Sequence, residues 1–312
     1  MTDERRIGRR YGPYHCVGQL DATPDTALFH ALHSKTGKLV TLRVLSLRRD
    51  LKNLEKLGAS KKEILDEIEA VQAIEHPNLM PILDIGTEEY VVYYTMPLMR
   101  GGTLLSRLER TAGYLQQGGQ IPIPLPSLGE IARMTSDIAA ALQAVHDAGK
   151  VHGQVEPRAI AFNDGVAYLA EVGMMKLQKI LFHLDTTNSF SVTRYSAPEL
   201  WQAERPVYAS DQYALACITY ELLTGRAPFE SDTILGLMQS HLDEPVIPPN
   251  VLRPDLNLPT ELSMVFWQAL AKPVDERFPS VSAFAKAFSL LATGREGEPT
   301  GFFTMPLPSV NG

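Results

Sequence analysis

Short runs of largely apolar, β-prone residues dominate the first hundred residues of the chain. Gly, Asp and Pro separate these runs, which is typical of strands joined by turns. Between the third and fourth runs, Ile64, Ile68, Val71 and Ile74 recur at steps of four, three and three, which predicts a helix over Ala59–Glu75. The predicted strands are Tyr14–Leu20, Leu28–Leu32, Leu39–Leu45, Met80–Ile85 and Tyr90–Thr95.

Beyond residue 100 the apolar spacing is mainly helical. Ser127 followed by Glu130 is a capping-box pattern, and Gly149 is a typical helix end. Residues 112–126 are rich in Gly, Gln and Pro, which predicts an exposed loop. An Asp-Gly pair at Asp164-Gly165 lies between two apolar runs and predicts a hairpin turn. The predicted buried faces are Ile131, Met134, Ile138, Leu142 and Val145 in the first helix, and Phe284, Phe288 and Leu291 in the last.

Composition places the chain among ordinary globular proteins. It has 312 residues, 45% hydrophobic and 21% charged. A formal net charge of −7 argues against a nucleic-acid partner. Two cysteines are too few for a disulfide framework, so a cytoplasmic setting is expected. No apolar run is long enough to predict a membrane segment.

The order of motifs over Tyr14–Leu291 resembles that of a known family. The protein-kinase segment H-R-D-L-x-P-x-N is matched in spacing by His152, Val155 and Pro157. Two short predicted strands follow, and then an acid-x-Gly that ends at Gly173 and matches the position of D-F-G. Ala197-Pro198-Glu199 matches the A-P-E motif. The chain therefore resembles the bacterial eukaryotic-like (Hanks-type) Ser/Thr protein kinases, and in particular the degenerate members called pseudokinases.

The resemblance implies an α+β, bilobal protein-kinase fold. We expect a small antiparallel five-stranded β lobe with one helix over about residues 13–97, and a larger, mainly α-helical lobe over about 98–293. Residues 1–12 are expected to form a flexible basic N-terminus, and residues 294–312 a flexible tail.

Catalytic residues are not expected, because the family's chemical positions hold other residue types. Gln154 replaces the base, and an amide has no useful proton affinity. Ala159 replaces the second metal ligand, and Glu156 reverses the charge of the usual Lys. Gly153 replaces the Arg that pairs with a phosphorylated activation segment in many kinases. Glu171 replaces the metal-binding Asp and has one extra methylene, which makes it a doubtful metal ligand.

The nucleotide-binding positions are also altered. The family's glycine-rich loop, whose backbone N–H groups approach phosphates, aligns its glycines with Asp21, Thr23 and Thr26. Arg43 replaces the phosphate-pairing Lys, and its family partner is Glu67. Arg43 either forms a structural bridge to Glu67 or binds phosphate.

The adenine end of the site keeps more of the family pattern. Met96 aligns with the gatekeeper, and Pro97, Leu98 and Met99 align with the hinge. An adenine-shaped apolar slot can therefore persist after the phosphate end is lost. We expect no cofactor, and only weak binding of Mg-ATP if it binds.

Five positions that build the fold in the family are kept. Asp211 is expected to cap the backbone at His152, Arg277 to pair with Glu199, and Gly173 to close the acid-x-Gly motif.

These observations favour a catalytically impaired kinase-fold protein. It would act as a scaffold or allosteric partner of an active Ser/Thr kinase or of that kinase's substrate. One alternative is a weakly active ATP-dependent Ser/Thr kinase or another ATP-using transferase, and a second is a small-molecule sensor using the former adenine slot. Two further hypotheses are phosphorylation of hydroxyls in a predicted loop between Met174 and Ala197, and docking of Phe302-Phe303 to a partner.

Overall fold

The computed structural model describes residues 8–23, 25–47, 54–109, 126–182 and 192–294. The expectations for residues 1–7, the loop at 112–125, the hydroxyls at 186–191 and the tail at 295–312 lie outside these residues. Contacts divide the chain into two compact units, which are described separately. The first unit comprises Met1–Glu75, Met80–Met99 and Gly173–Thr186, and the second comprises His76–Leu79, Arg100–Val172 and Thr187–Gly312.

The first unit contains an antiparallel sheet with strand order β1-β2-β3-β4-β6-β5. The described sheet has six strands where five were predicted, because a short edge strand precedes the first predicted one. The fourth predicted strand begins at Asp84 rather than at Met80; Pro81 lies in this run and has no N–H for a strand ladder. The strands are β1 (Arg10–Tyr11), β2 (Tyr14–Ala22), β3 (Thr26–His33), β4 (Leu39–Ser46), β5 (Asp84–Glu88) and β6 (Val91–Pro97).

The extra strand β1 corrects the expectation that residues up to Gly12 are flexible. Tyr11 is only 2% exposed, and its ring packs against Phe29 and Tyr93. Gly12 lies directly against the Tyr93 hydroxyl, where a side chain would clash. The folded unit therefore includes the residues just before Tyr14.

Two helices belong to the first unit. Helix α1 spans Leu54–Gln72 and buries Ile64, Ile68 and Val71, so the predicted helix and three residues of its face are confirmed although both ends differ. The fourth residue of the predicted face, Ile74, follows the end of the helix and is only partly buried. Helix α4 spans Met174–Phe182 and packs against α1. It was not predicted, because the segment after Gly173 was interpreted as a loop.

The second unit is mainly helical. The predicted capping box at Ser127 and Glu130 is confirmed, and so is the hairpin turn, in which Asp164 and Gly165 have φ of 48° and 80° as a type I′ turn requires. The hairpin consists of β7 (Ile160–Asn163) and β8 (Val166–Leu169). The helices are α2 (residues 104–109), α3 (Leu128–Asp147), α5 (Pro198–Trp201), α6 (Tyr208–Thr224), α7 (Ile234–Asp243), α8 (Pro249–Leu252), α9 (Thr260–Ala269) and α10 (Val281–Thr293).

The core of the second unit surrounds α6, whose residues from Ser210 to Thr224 are all buried. The predicted inner face of α3 is confirmed, with each of its five apolar residues at most 1% exposed. In α10, Phe284 and Phe288 are fully buried, whereas Leu291 is only partly buried. No helix among the described residues is long and apolar enough to cross a membrane.

Candidate functional site

The turn between β2 and β3 occupies the position of the glycine-rich loop. Thr23 N donates to Thr26 O at 2.7 Å, and Thr26 N donates to the Thr23 hydroxyl at 3.1 Å. Pro24 has no N–H by its chemistry. Asp25 O accepts from Ser46 N at 2.7 Å, which ties the turn to the end of β4. The amide groups of both threonines are therefore already bonded within the turn, and Asp21 is an exposed residue of β2 beside it.

Arg43 and the adenine-side residues lie on neighbouring strands of the first unit. Arg43 is in β4 opposite Tyr94 of β6, and it is 5% exposed. Met96, two residues further along β6, is 8% exposed. Leu98 and Met99 follow the end of β6 and are partly buried. The geometry at Arg43 leaves both of its predicted roles open.

Glu67 of α1 forms an ion pair with a residue that the sequence analysis did not single out. Its Oε2 lies 2.7 Å from Lys176 Nζ in α4. Glu67 is 5% exposed, whereas the Lys176 side chain is 56% exposed. Gly173 faces the same place, since a Cβ there would lie 3.2 Å from Glu67 Oε1 and 3.1 Å from Val71 Cγ2.

The sequence did carry a signal for α4. Met174, Leu177 and Leu181 recur at steps of three and four directly after Gly173, and each is at most 2% exposed. The Met174 sulfur accepts from the Tyr94 hydroxyl at 3.4 Å. Helix α4 is thus part of the first unit's core, and it brings Lys176 to Glu67.

In the second unit, Asp211 holds the backbone of the catalytic-loop position. Its two carboxylate oxygens accept from His152 N at 2.9 Å and from Gly153 N at 2.7 Å. His146 Nε2 also lies 2.8 Å from Asp211 Oδ2. His152 Nε2 donates to Ala170 O at 2.9 Å, and its Nδ1 accepts from Gln154 N at 3.3 Å. The expected backbone cap by Asp211 is present.

Gly153 has a φ of 77°, in the left-handed region. This conformation costs a residue with a Cβ about 1–2 kcal/mol. The glycine at the position of the family Arg therefore adopts the required backbone without that cost.

The side chains that follow lack the family's polar groups or invert their charge. Ala159 is 1% exposed and offers no side-chain oxygen to a metal. Glu156 accepts from Arg158 Nε at 2.5 Å, so a local ion pair replaces the usual cation. Burial raises the pKa of Glu156, Arg158 opposes this effect, and the negative charge of Glu171 adds to it. Glu171 has a φ of 65°, the left-handed region again.

A second buried ion pair fixes the A-P-E position. Arg277 Nη2 lies 2.8 Å from Glu199 Oε2 and Arg277 Nη1 lies 3.0 Å from Glu199 Oε1, a bidentate arrangement. The Ser210 hydroxyl donates to the same carboxylate at 2.6 Å. Burial alone would raise the pKa of Glu199, but the hydrogen bonds and charge of Arg277 outweigh it and lower that pKa. The expected Glu199–Arg277 pair is present.

A small recess adjoins the catalytic-loop position within the second unit. Gln154 and Glu156 line one part of it, and Thr193, Tyr195 and Leu200 line another. The Tyr195 hydroxyl donates to Glu221 Oε2 of α6 at 2.8 Å, a contact that the sequence analysis missed. The tyrosine anchors the segment before α5 to the core helix.

These residues do not fit a Mg-ATP complex. The turn at Thr23–Thr26 has its threonine amides bonded internally, and a buried alanine stands where the second oxygen ligand would be. Magnesium requires several oxygen ligands in near-octahedral geometry. No group of three or more His, Cys, Asp or Glu side chains in the described part of the chain is arranged to hold a metal ion.

Comparison with known proteins agrees with this architecture. The model of the protein kinase domain family matches residues 26–284. PknE, a Ser/Thr protein kinase of Mycobacterium tuberculosis, is 26% identical over 99% of this chain and 53% of its own length. PknH, a Ser/Thr protein kinase of Mycobacterium bovis, is 28% identical over 92% of this chain and 46% of its own length. The chain thus spans about half the length of these curated relatives.

The crystal structure of the Mycobacterium tuberculosis PknI kinase domain has a similar fold. The TM-score is 0.63 at 22% sequence identity, over 90% of this chain and 97% of that domain. The chain belongs to the protein kinase domain family. The two curated relatives named above are both Ser/Thr protein kinases of mycobacteria.

Proposed function

We propose that the chain is a pseudokinase, a kinase-fold protein that works by binding rather than by phosphoryl transfer. Its partner in this proposal is an active Ser/Thr kinase, or the substrate of one, in the reducing cytoplasm. The observation that carries the proposal is the contrast at the catalytic loop. Asp211 holds the backbone there with two short hydrogen bonds, whereas Gln154 and Ala159 supply neither a base nor a metal ligand.

Typical rate effects support the loss of phosphoryl transfer. Removal of a general base costs about 10²–10⁴-fold in rate, and kinases typically turn over at about 1–100 per second. Gln154 alone would therefore leave measurable activity. The closed turn at Thr23–Thr26 weakens nucleotide binding, and the apolar Ala159 removes a metal ligand. Because nucleotide, metal and base act together in phosphoryl transfer, the rate losses from these changes are not independent. Together these changes favour a protein without useful phosphoryl transfer.

The retained features are those that a binding protein needs. The buried Glu199–Arg277 pair and the Tyr195–Glu221 hydrogen bond order the segment around the A-P-E motif. A surface that is already ordered before binding loses less conformational entropy on association. This ordered segment supports the proposal that a protein docks on the second unit.

A direct test is phosphoryl transfer from radiolabelled ATP with Mg²⁺. The purified chain is supplied with mixed Ser/Thr peptides and compared with its Glu171→Ala variant and with an active Ser/Thr kinase. We expect equal, background labelling by the chain and the variant. Mg²⁺-dependent labelling that Glu171→Ala abolishes would overturn the proposal.

The second candidate is a weakly active Ser/Thr kinase, which is favoured because PknE and PknH are Ser/Thr protein kinases. The two candidates differ in a second measurement, the rate of an active Ser/Thr kinase with and without this chain. A pseudokinase partner changes that rate without itself consuming ATP. A weak kinase adds its own labelled products, which disappear in Glu171→Ala.

A further inference from the structure

Helix α9 presents an apolar surface to solvent in addition to its buried face. Met264 is 62% exposed and Trp267 is 50% exposed, three residues apart on one side of the helix. Ile247 and Val251, at 50% and 63% exposure, lie on the preceding segment. We call these four residues the α9 patch.

Hydrogen bonds bring the members of the α9 patch together. Trp267 Nε1 donates to Val246 O at 3.2 Å, next to Ile247. The Ser263 hydroxyl, next to Met264, donates to Asn250 Oδ1 at 3.0 Å, next to Val251. The segment that carries Ile247 and Val251 therefore lies beside α9 in the second unit.

The patch is distinct from the core face of α9. Leu262, Val265, Phe266 and Ala269 form that core face, and each is at most 7% exposed. Four large exposed apolar side chains on two adjacent elements are costly in water, and an exposed apolar surface of this kind typically marks an interaction site.

The chain carries matching apolar residues just beyond α10. Residues 295–301, R-E-G-E-P-T-G, are polar and contain Gly and Pro, a composition typical of a linker. Five large apolar residues follow in the last eleven positions: Phe302, Phe303, Met305, Leu307 and Val310. Their chemistry complements the α9 patch.

The linker is long enough for these residues to reach the patch. The Phe288 ring of α10 lies 5.7 Å from the Phe266 ring of α9. Six residues of helix separate Phe288 from Gly294, about 9 Å, and the outer face of α9 is about 10 Å beyond its inner face. The path is therefore about 25 Å. The eight residues from Gly294 to Phe302 span up to about 26–29 Å when extended.

We propose that the α9 patch is a docking site for residues 302–310 of the same chain, with Phe302 and Phe303 against Trp267 and Met264. Docking removes apolar surface from water on both sides. It requires only the closure of a short loop, since the segment starts on the helix that packs against α9.

Tryptophan fluorescence tests the proposal on the intact chain. The chain has two tryptophans, and Trp201→Phe leaves Trp267 as the single reporter while keeping an aromatic ring against His241. Acrylamide quenching of Trp267 is compared between this parent and its Phe302→Ser/Phe303→Ser variant, with Thr300→Ser/Thr304→Ser as the matched control. If Trp201→Phe fails to fold, the Trp267 signal is taken as the difference between each chain and its Trp267→Phe counterpart.

We expect the quenching constant to rise about twofold when both phenylalanines are replaced, because a covered indole becomes half exposed. The threonine control should leave it unchanged. On the patch side, Met264→Glu should have the same effect as the phenylalanine replacements. Ile234→Glu, which changes a 76% exposed residue of α7 outside the patch, should have none.

Two results would overturn the proposal. One is equal quenching of the parent and the Phe302→Ser/Phe303→Ser variant. The other is protection of Trp267 that increases with chain concentration while light scattering reports a doubled mass, which would assign the patch to a second copy of the chain.

Discussion

The turn at Thr23–Thr26 aligns with the glycine-rich loop of a kinase, and the loop at His152–Gly153 aligns with the catalytic loop. The two segments differ in the hydrogen bonds that hold their backbones. The turn bonds its own amides with its own carbonyl and hydroxyl groups. The loop has its amides bonded by Asp211, a residue of a buried core helix. The turn is thus held by local contacts, whereas the loop is held by a residue distant in sequence.

This difference separates the residues that hold the backbone of the second unit from the residues at the family's chemical positions. Asp211, Glu199 and Arg277 act on the backbone and on each other, so they stabilise the second unit whether or not a base is present. The Gln154 and Ala159 side chains form none of these supports. The following predictions test this separation.

Replacement of Arg277 by Met should have the largest effect. It leaves the buried Glu199 carboxylate without its partner, and breaking a buried pair in this way costs about 3–5 kcal/mol. Urea denaturation of the intact chain measures the loss. The matched control, Arg226→Met, removes an exposed pair with Glu230 and should cost about 0.2–1 kcal/mol. Equal losses in the two variants would contradict the framework role of Arg277.

Acid should destabilise the second unit through His241. This residue is fully buried, and burial followed by the charge of Lys272 lowers its pKa to about 3. The unfolded chain has a His pKa of about 6.5 and therefore takes up the proton first. Stability should fall between about pH 6.5 and pH 3, by up to about 1.4 kcal/mol per pH unit.

The check is the pH dependence of the unfolding free energy in the parent and in His241→Phe. The Tyr213 hydroxyl, bonded to His241 Nδ1 at 3.0 Å, loses its partner in the variant, so absolute stability will also drop. The informative quantity is the slope between pH 6 and pH 4, which should become shallower. An unchanged slope would show that His241 does not titrate as described.

Replacement of Gly153 by Ala should cost about 1–2 kcal/mol, because its φ of 77° is unfavourable for any residue with a Cβ. Gly129→Ala provides a control of opposite sign. Gly129 is in the first turn of α3 with open space around its Cβ position, so Ala there should stabilise by up to about 0.5–1 kcal/mol. If both variants change stability in the same direction, the strain argument at Gly153 is wrong.

The smallest expected effect is that of Thr23→Val. The substitution removes the hydroxyl that accepts from Thr26 N, and a net hydrogen bond contributes about 0.5–1.5 kcal/mol. Thermal unfolding, with hydrogen exchange of the Thr26 amide as a local probe, measures the change. An amide that stays protected in Thr23→Val would contradict the described closure of the turn.

The sequence predicted the parts of this fold that depend on local pattern. The capping box at Ser127, the Asp164-Gly165 turn and the inner face of α3 each follow from residue type and spacing, and each was confirmed. Helix α4 also has helical spacing, at Met174, Leu177 and Leu181, but the segment was interpreted as a loop. A two-residue strand such as β1 carries no periodicity, and only the packing of Tyr11 identifies it.

The residues that contact the candidate site residues were harder to predict where the contact depends on tertiary geometry. Asp211 and Arg277 were found because a motif specifies both ends of each contact. Lys176 was missed, because nothing in its local sequence indicates that α4 packs on α1 beside Glu67. The Arg158 partner of Glu156 is two residues away, yet an exposed arginine near a carboxylate is too common to predict a pair.

The central claim, that the phosphate end of the nucleotide site is gone while the framework remains, is tested most directly by ligand-induced stabilisation. The purified chain is titrated with ATP in the presence and absence of Mg²⁺ while its unfolding temperature is recorded. A ligand at about 100 times its dissociation constant adds about 2.7 kcal/mol, which shifts a chain of this size by a few degrees. The account predicts no Mg²⁺-dependent shift at millimolar ATP. A shift of a few degrees that requires Mg²⁺ and disappears in Glu171→Ala would contradict it.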